Sequence, residues 1–382
     1  MKLLESDRTM SEGRFAHAML REIYEQPDAL ARTMEQYVAA GHINSKSLTD
    51  AAECFRRHKD LVIAASGSSR HAGLAAEIML EDAASLAVDV EYASEYITRS
   101  TNTKRDPAVL VISQSGETAD TLAALREANQ RRHPTLAVTN VENSSMASEA
   151  EIYLPTSAGV ERAIPATKSF TAQLLVLRLL SLEAADARGT MDAKEMERQL
   201  AELWEIPPAI ERQLDGWRAV TERLAAKYNS AKTLLYLGRG IHYAIAREGA
   251  LKLKESSYMH AEGYPAGELK HGPNALVSDE VPIVALGTVD WQDAESVLRY
   301  EKTVALMSDL KAQGARTIVL TNAGDDKLRS VASDVIEVEP ANEYLLPITE
   351  VVPLQMFAYY MALENGVDVD RPRNLVKAVV QE

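Results

Sequence analysis

The sequence predicts an α/β protein made of two halves, each a doubly wound parallel sheet. Three observations predict it. Short apolar runs alternate with helical stretches through tight loops, the mark of a parallel sheet covered by helices on both faces. The alternation stops near residue 190 and resumes near residue 229. Gly67 and Gly238 hold equivalent places after the first strand of each series, so duplication is the economical reading, although identity between the halves is weak. The expected organisation is a helical arm (1–48), a first α/β domain (49–190), a helical connector (191–228), a second α/β domain (229–365) and a C-terminal tail (366–382).

The arm reads as helices over 15–25 and 27–40, with Pro27 acceptable in a first helical turn. It is amphipathic and acidic, and is expected to pack on a later domain or on a partner subunit. A helix over 51–58 precedes the first strand, Leu61-Val62-Ile63-Ala64-Ala65, an apolar run of the kind buried in parallel sheets. Ser66-Gly67-Ser68-Ser69 reads as a turn, with a helix over 71–83. Strands are expected at 88–92, 109–112, 135–139 and 152–154, with a helix over 119–129. A long helix covers 167–184. The charged stretch 192–227 is helical and expected to break at Pro207-Pro208. In the second half, strands are expected at 233–237, 283–286, 317–320 and 335–339. Helices are expected over 243–254 and 294–313, with Gly238-Arg239-Gly240 as a turn.

Composition narrows the function. At 382 residues, 46% hydrophobic and 25% charged, the chain suits a globular protein of two domains. A net charge of −15 argues against a general nucleic-acid binder but not against a small phosphorylated ligand held locally. Cys54 is the single cysteine and reads as a structural thiol, since no catalytic motif accompanies it. Residues 1–7 lack the apolar stretch of a signal peptide, and no uncharged run reaches membrane-spanning length. The expected compartment is the cytoplasm.

Two groups of residues carry chemistry. Ser113-Gln114-Ser115-Gly116-Glu117-Thr118 lies between an apolar strand and a helix. A helix N-terminus offers unsatisfied N–H groups, hydroxyls add donors without bulk, and Gly116 lets backbone approach a ligand. One serine there would be a helix cap; three hydroxyls around a glycine point to a phosphate. No Walker lysine follows, so a nucleoside triphosphate is not implied. Ser69 belongs to a weaker loop of the same kind, able to face the first across the strand ends. Gly238-Arg239-Gly240 is no dinucleotide fingerprint, because Tyr243 stands where glycine is needed.

The second group is for proton transfer. Glu255 and Lys252 are three apart and share a helix face, which alone would read as a solvated pair. His271 sits in the Gly- and Pro-bounded loop Gly267-Glu268-Leu269-Lys270-His271-Gly272-Pro273, where a core role is not expected and proton exchange near neutrality is. Lys377 is near the C-terminus and matters only if the tail folds into a site, where it could form an imine. No ligand spacing suits a metal, and neither metal nor cofactor is expected.

These residues resemble the sugar isomerase (SIS) family, most closely the isomerase half of glutamine–fructose-6-phosphate aminotransferases. The resemblance runs from about Arg21 to Glu382 through SQSGETADTL, EGALKLKE, GELKHGP and DVDRPRNLVK. It implies two flavodoxin-like halves, a homodimer and a hexose 6-phosphate substrate. By resemblance, Ser113, Gln114, Ser115 and Thr118, with Ser69 nearby, bind the phosphate. Glu255 moves a proton between C1 and C2, and Lys252 assists at a sugar hydroxyl. His271 helps open the ring, reaching in from the other subunit, and Lys377 forms an imine with the open-chain ketose.

The chain also departs from that family. The glutaminase half is not in this sequence, position 2 is Lys2, and Cys54 is the only cysteine, so glutamine hydrolysis is not expected. Ala166, in Ile164-Pro165-Ala166-Thr167-Lys168, replaces a serine near the presumed sugar site. The leading expectation is a glucosamine-6-phosphate deaminase releasing fructose 6-phosphate and ammonia, because a lone isomerase half has no channelled ammonia source. Alternatives are the isomerase component of a synthase fed by free ammonia or a separate glutaminase, and a fructosamine-6-phosphate deglycase. From another class comes a non-enzymatic sugar-phosphate sensor, which the presence of Glu255, His271 and Lys377 and the acidic arm disfavour.

Overall fold

The structure, a computed structural model, describes residues 15–99 and 105–380. The arm before Phe15, Lys2 included, and Gln381 and Glu382 lie outside the described residues. Helices α1 (Ala18–Tyr24) and α2 (Gln26–Tyr37) come first, followed by a ribbon of β1 (Val38–Ala39) and β2 (His42–Ile43). Helix α2 stops short of the predicted residue 40 because Val38 turns extended and pairs with Ile43. Helix α3 (Lys46–Arg57) starts earlier than predicted, since the Ser45 hydroxyl accepts from Leu48 N and fixes its first turn.

The first sheet unit runs β3 (Asp60–Ala65), α4 (Gly67–Ala84), β4 (Ala87–Tyr92), α5 (Ala93–Thr98), β5 (Ala108–Ser113), α6 (Ala119–Gln130), β6 (Thr135–Thr139), α7 (Ser145–Glu149) and β7 (Ile152–Pro155). Two long helices follow, α8 (Lys168–Arg188) and α9 (Ala193–Tyr228). The second unit runs β8 (Thr233–Gly238), α10 (His242–Ser257) and β9 (His260–Pro265). After two 3-10 turns, Ala266–His271 and Pro273–Leu276, come β10 (Ile283–Leu286), α11 (Ala294–Ala312), β11 (Thr317–Asn322), α12 (Asp326–Val331), β12 (Asp334–Val338) and α13 (Leu346–Glu364).

Both sheets are wholly parallel, in the orders β4-β3-β5-β6-β7 and β9-β8-β10-β11-β12. Renumbered within each half, both read 2-1-3-4-5, the flavodoxin order. The two α/β halves read from the sequence are therefore topological copies. Strands β3 and β5 are central and buried on both faces, which explains their unbroken apolar runs. The order reverses between β3 and β5, and between β8 and β10. At such a point neighbouring loops diverge and leave a crevice beyond the carboxyl ends of the strands.

One core joins the halves. Helix α13 packs on α10 and α9, and α8 packs on α4, with Leu174, Leu177, Val351, Leu354 and Phe357 among the buried side chains. The predicted break at Pro207-Pro208 is absent: α9 runs through both prolines. The prolines cannot donate to the carbonyls of Leu203 and Trp204, but Leu203, Ile206, Pro207 and Ile210 are buried, and this packing carries the helix across the gap. No helix among the described residues is long and apolar enough to cross a membrane. The Cys54 thiol is half-buried and burial pushes its pKa up to about 11, as suits a structural thiol.

Candidate functional site

The hydroxyl-rich loop leaves the end of β5 at the first reversal point. The Ser113 hydroxyl lies 3.0 Å from that of Thr118 and 3.4 Å from that of Ser115. Backbone N–H groups orient two of them: Gly116 N donates to Ser113 Oγ at 3.1 Å, and Glu117 N donates to Ser115 Oγ at 3.2 Å. A hydroxyl that accepts from the backbone keeps its own hydrogen to give to an anion. Gly116 has φ +67°, and a Cβ there would overlap the Ser144 side chain, so glycine is required on two counts. Glu117 turns out of the loop, accepting from Ser145 N at 2.6 Å and Ser145 Oγ at 2.8 Å, so its carboxylate is engaged at the start of α7. The Gln114 carbonyl pins the loop to the end of β6, accepting from Asn140 N at 3.2 Å and Thr139 Oγ1 at 3.3 Å.

The second loop faces the first. Ser66 Oγ and Thr121 Oγ1 are 3.5 Å apart, linking the end of β3 to the helix behind the hydroxyl loop. Gly67, Ser68 and Ser69 were expected in a turn but form the first turn of α4, entered through φ +54° at Gly67. Ser69 Oγ accepts from Gln173 Nε2 at 3.1 Å.

The proton-transfer pair abuts this second loop. Glu255 lies in the last turn of α10, 22% exposed, and its Oε2 is 2.6 Å from Lys252 Nζ. Lys252 is only 1% exposed, so the pair is no solvated surface couple. A chain continues inward: Lys252 Nζ lies 3.4 Å from Glu248, and Glu248 Oε2 is 2.8 Å from His71 Nδ1 on α4. Burial alone would favour a neutral Lys252 amine, but Glu255 and Glu248 outweigh it and raise the pKa above the ordinary lysine value. Burial opposes the Glu248 charge too, yet Lys252, His71 and Ser68 hold its carboxyl below the usual range. Glu248 and His71 escaped the sequence reading. Glu248 had a signal, being four residues before Lys252 and on the same helix face; His71, on another element, had none.

The tail folds back over the site. Lys377 Nζ donates to Glu161 Oε2 at 2.6 Å and to the Ala163 carbonyl at 2.7 Å. Two residues on, the Val379 carbonyl accepts from Ala119 N at 2.8 Å, in the first turn of the helix behind the hydroxyl loop. Before Lys377, the Asp370 carboxylate accepts from Ala18 N and Met19 N at 2.8 Å each and so caps α1. Glu161, in irregular chain between β7 and α8, had no sequence signal at all. His271 stands apart. It is exposed at the end of a 3-10 turn on the second half, and among the described residues no hydrogen bond or ion pair joins it to the groups above.

The copied crevice in the second half is furnished differently. His242, in the first turn of α10, lies 2.8 Å from Glu350 and 3.3 Å from Glu343, and Arg299 lies 2.8 Å from Glu343. Burial works against the imidazolium, but Glu350 and Glu343 push its pKa up to about 10. Thr288 and Ser296 donate to these same carboxylates. Hydroxyls that cradle an open loop in the first half are here committed to a buried ionic cluster. Among the described residues no group of three or more His, Cys, Asp or Glu could hold a metal ion.

Twin flavodoxin-order sheets, with a serine- and threonine-rich loop at the first reversal point, define a tandem α/β protein. The chain belongs to the SIS-domain family, whose SIS domain matches residues 55–182 and 227–365. Glutamine–fructose-6-phosphate aminotransferase (isomerizing) of Chlorobaculum tepidum is 39% identical over 375 residues, covering 98% of this chain and 60% of that protein. The enzyme of the same name from Clostridium acetobutylicum is 40% identical over 381 residues, covering 99% and 61%. The chain thus spans about three-fifths of these relatives. Among solved structures, the C-terminal domain of glucosamine-fructose-6-phosphate aminotransferase from Francisella tularensis superposes with TM-score 0.87 at 35% identity, over 94% of this chain and 99% of that one. Glucosamine-6-phosphate deaminase from Thermotoga maritima superposes with TM-score 0.71 at 21% identity, over 96% and 100%, a likeness of fold alone.

Proposed function

We propose that the chain is a hexose-6-phosphate isomerase that forms glucosamine 6-phosphate and water from fructose 6-phosphate and ammonia. One observation carries the reading: the tail reaches the start of the helix behind the hydroxyl loop through Val379 and Ala119, while Glu161, which holds Lys377, also acts on the charge of Lys252 in the Lys252–Glu255 pair. Ser113, Ser115 and Thr118 hold the phosphate, with the Gln114 backbone and Ser69 shaping the site. The Lys377 amine attacks C2 of the open ketose and forms an imine with loss of water. Ammonia then displaces the lysine, leaving an imine at C2. Glu255 removes a proton from C1 and returns it to C2, while Lys252 manages the proton of the C1 hydroxyl, giving an aldehyde at C1 and an amine at C2. Among the described residues His271 is exposed and joined to none of these groups, which favours its serving the crevice of a second copy in a homodimer, as a ring opener.

The same residues run in reverse would make a deaminase. The synthetic direction is preferred because the relatives at 39% and 40% identity are aminotransferases, whereas the deaminase neighbour shares only the fold. Ammonia comes free or from a glutaminase. The test is interconversion of fructose 6-phosphate plus ammonium with glucosamine 6-phosphate, assayed both ways. Glu255→Gln should lower turnover by roughly 100-fold or more in both directions while hexose-phosphate binding survives. Turnover unaffected by that change would remove Glu255 from the chemistry. Ammonia release that far outruns synthesis at matched displacement from equilibrium would favour the deaminase.

A further inference from the structure

We propose that Glu161 is the positioning residue for Lys377: its buried carboxylate stations the tail lysine beside the hydroxyl loop before substrate arrives. The inference rests on the isomerase reading above and adds to it a residue that neither motif nor spacing picks out. The Glu161 side chain is 0% exposed. It accepts from Thr167 N at 2.9 Å and Ser169 N at 3.1 Å, and from the hydroxyls of Thr167 at 3.4 Å and Ser169 at 2.7 Å. All four donors belong to the start of α8, a helix N-terminus that favours an anion. The anion is therefore built into the fold and does not need the tail to be stable. Oε2, already bonded to Ser169, has room for one further strong donor, and Lys377 supplies it at 2.6 Å. The Ala163 carbonyl takes a second hydrogen of the same ammonium.

This arrangement suits a lysine that must be both held and released. A charge-assisted pair fixes Nζ in place, which removes most of the entropy of ordering a terminal segment. Releasing Lys377 to attack a carbonyl leaves Glu161 with four donors rather than none, so the buried charge is not orphaned. The span from Lys377 to Val379, which caps the helix behind the hydroxyl loop, sets the lysine close to that loop. Glu161 also contributes to holding the charge on Lys252. One carboxylate thus bonds one lysine of the site and favours the charge of the other.

The test uses Glu161→Gln, which keeps an oxygen for the α8 amides and removes the charge. In substrate-free protein at fixed pH, acetylation of Lys377, read by peptide mass spectrometry, should rise several-fold. In turnover, kcat should fall by about tenfold or more while KM for the hexose phosphate changes by less than about twofold, because a separate loop grips the phosphate. Glu161→Asp, which restores the charge, should recover part of kcat. Labelling of Lys377 at the wild-type rate in a folded Glu161→Gln protein would overturn the proposal. Should that variant not fold, Lys377→Met tests the dock from the other side. Trypsin cleavage after Arg373 should quicken once the lysine no longer ties the tail, and cleavage at the wild-type rate would overturn the proposal. A wild-type protein with the expected labelling contrast but no hexose-phosphate turnover would sink the isomerase reading and leave the dock standing.

Discussion

Glu22 shows what a single buried carboxyl does here. It is fully buried on α1 and accepts from Arg162 N at 2.6 Å, next to the chain segment that carries Glu161 and Ala163. Burial pushes its pKa from 4.5 up to about 7, helped by Glu161 and opposed by the Arg162 amide. The folded protein therefore keeps a proton that the unfolded chain releases between those values. Its stability contribution is complete below about pH 4.5 and is lost as pH rises through about 7. Glu22→Gln has no charge to bury. At pH 8 it should be more stable than wild type by roughly 2 kcal/mol, and at pH 4 nearly equal to it. Urea unfolding at the two pH values checks this, and a variant less stable at pH 8 would contradict it. Legibility at this scale followed sequence distance. Lys252 and Glu255 are neighbours on one helix and could be read together. Glu161, His71 and Glu22 act through contacts made by other elements, and nothing in their own neighbourhoods announces it.

Helix α9 carries the clearest lesson about elements. Proline breaks an isolated helix, and the sequence predicted a break at Pro207-Pro208. The structure keeps the helix whole because its apolar face is buried against α13. Pro208 is exposed, so its ring gains little there, while the Trp204 carbonyl loses its helical donor. Pro208→Ala should restore that bond and raise stability by about 1–3 kcal/mol, read as a higher denaturation midpoint. A lower midpoint would show that the proline is needed where it is. Among the elements that went unassigned in the sequence, two did so for opposite reasons. Residues 346–362 of α13 are buried on every side, so no polar face marks a helical period. Strand β9, His260-Ala261-Glu262-Gly263-Tyr264-Pro265, lies at a sheet edge and has no apolar run to betray it. The buried central strands β3 and β5 could be read directly because burial on both faces demands unbroken apolar sequence.

The whole molecule is a duplicated fold whose two crevices are furnished differently. Duplication was legible because strand, turn and helix recur in the same order, but the expected match of Gly67 with Gly238 is off by two: Gly238 ends its strand as Ala65 does, and Gly67 corresponds to Gly240, each at φ +54° two residues past the strand. That the second crevice holds a buried ionic cluster in place of a hydroxyl loop was not legible, since it depends on His242, Glu343 and Glu350 meeting across more than a hundred residues of chain. The central claim is that distant segments form one sugar-phosphate centre, with the hydroxyl loop binding, Glu255 moving the proton and the tail lysine forming the imine. Borohydride reduction of the protein with fructose 6-phosphate, followed by peptide mass mapping, tests this most directly. A hexose-phosphate adduct on Lys377 is predicted, suppressed by excess inorganic phosphate and retained in Glu255→Gln, which cannot move the proton but can still form the imine. An adduct on another lysine, or none on Lys377 while the enzyme turns over, would contradict the account.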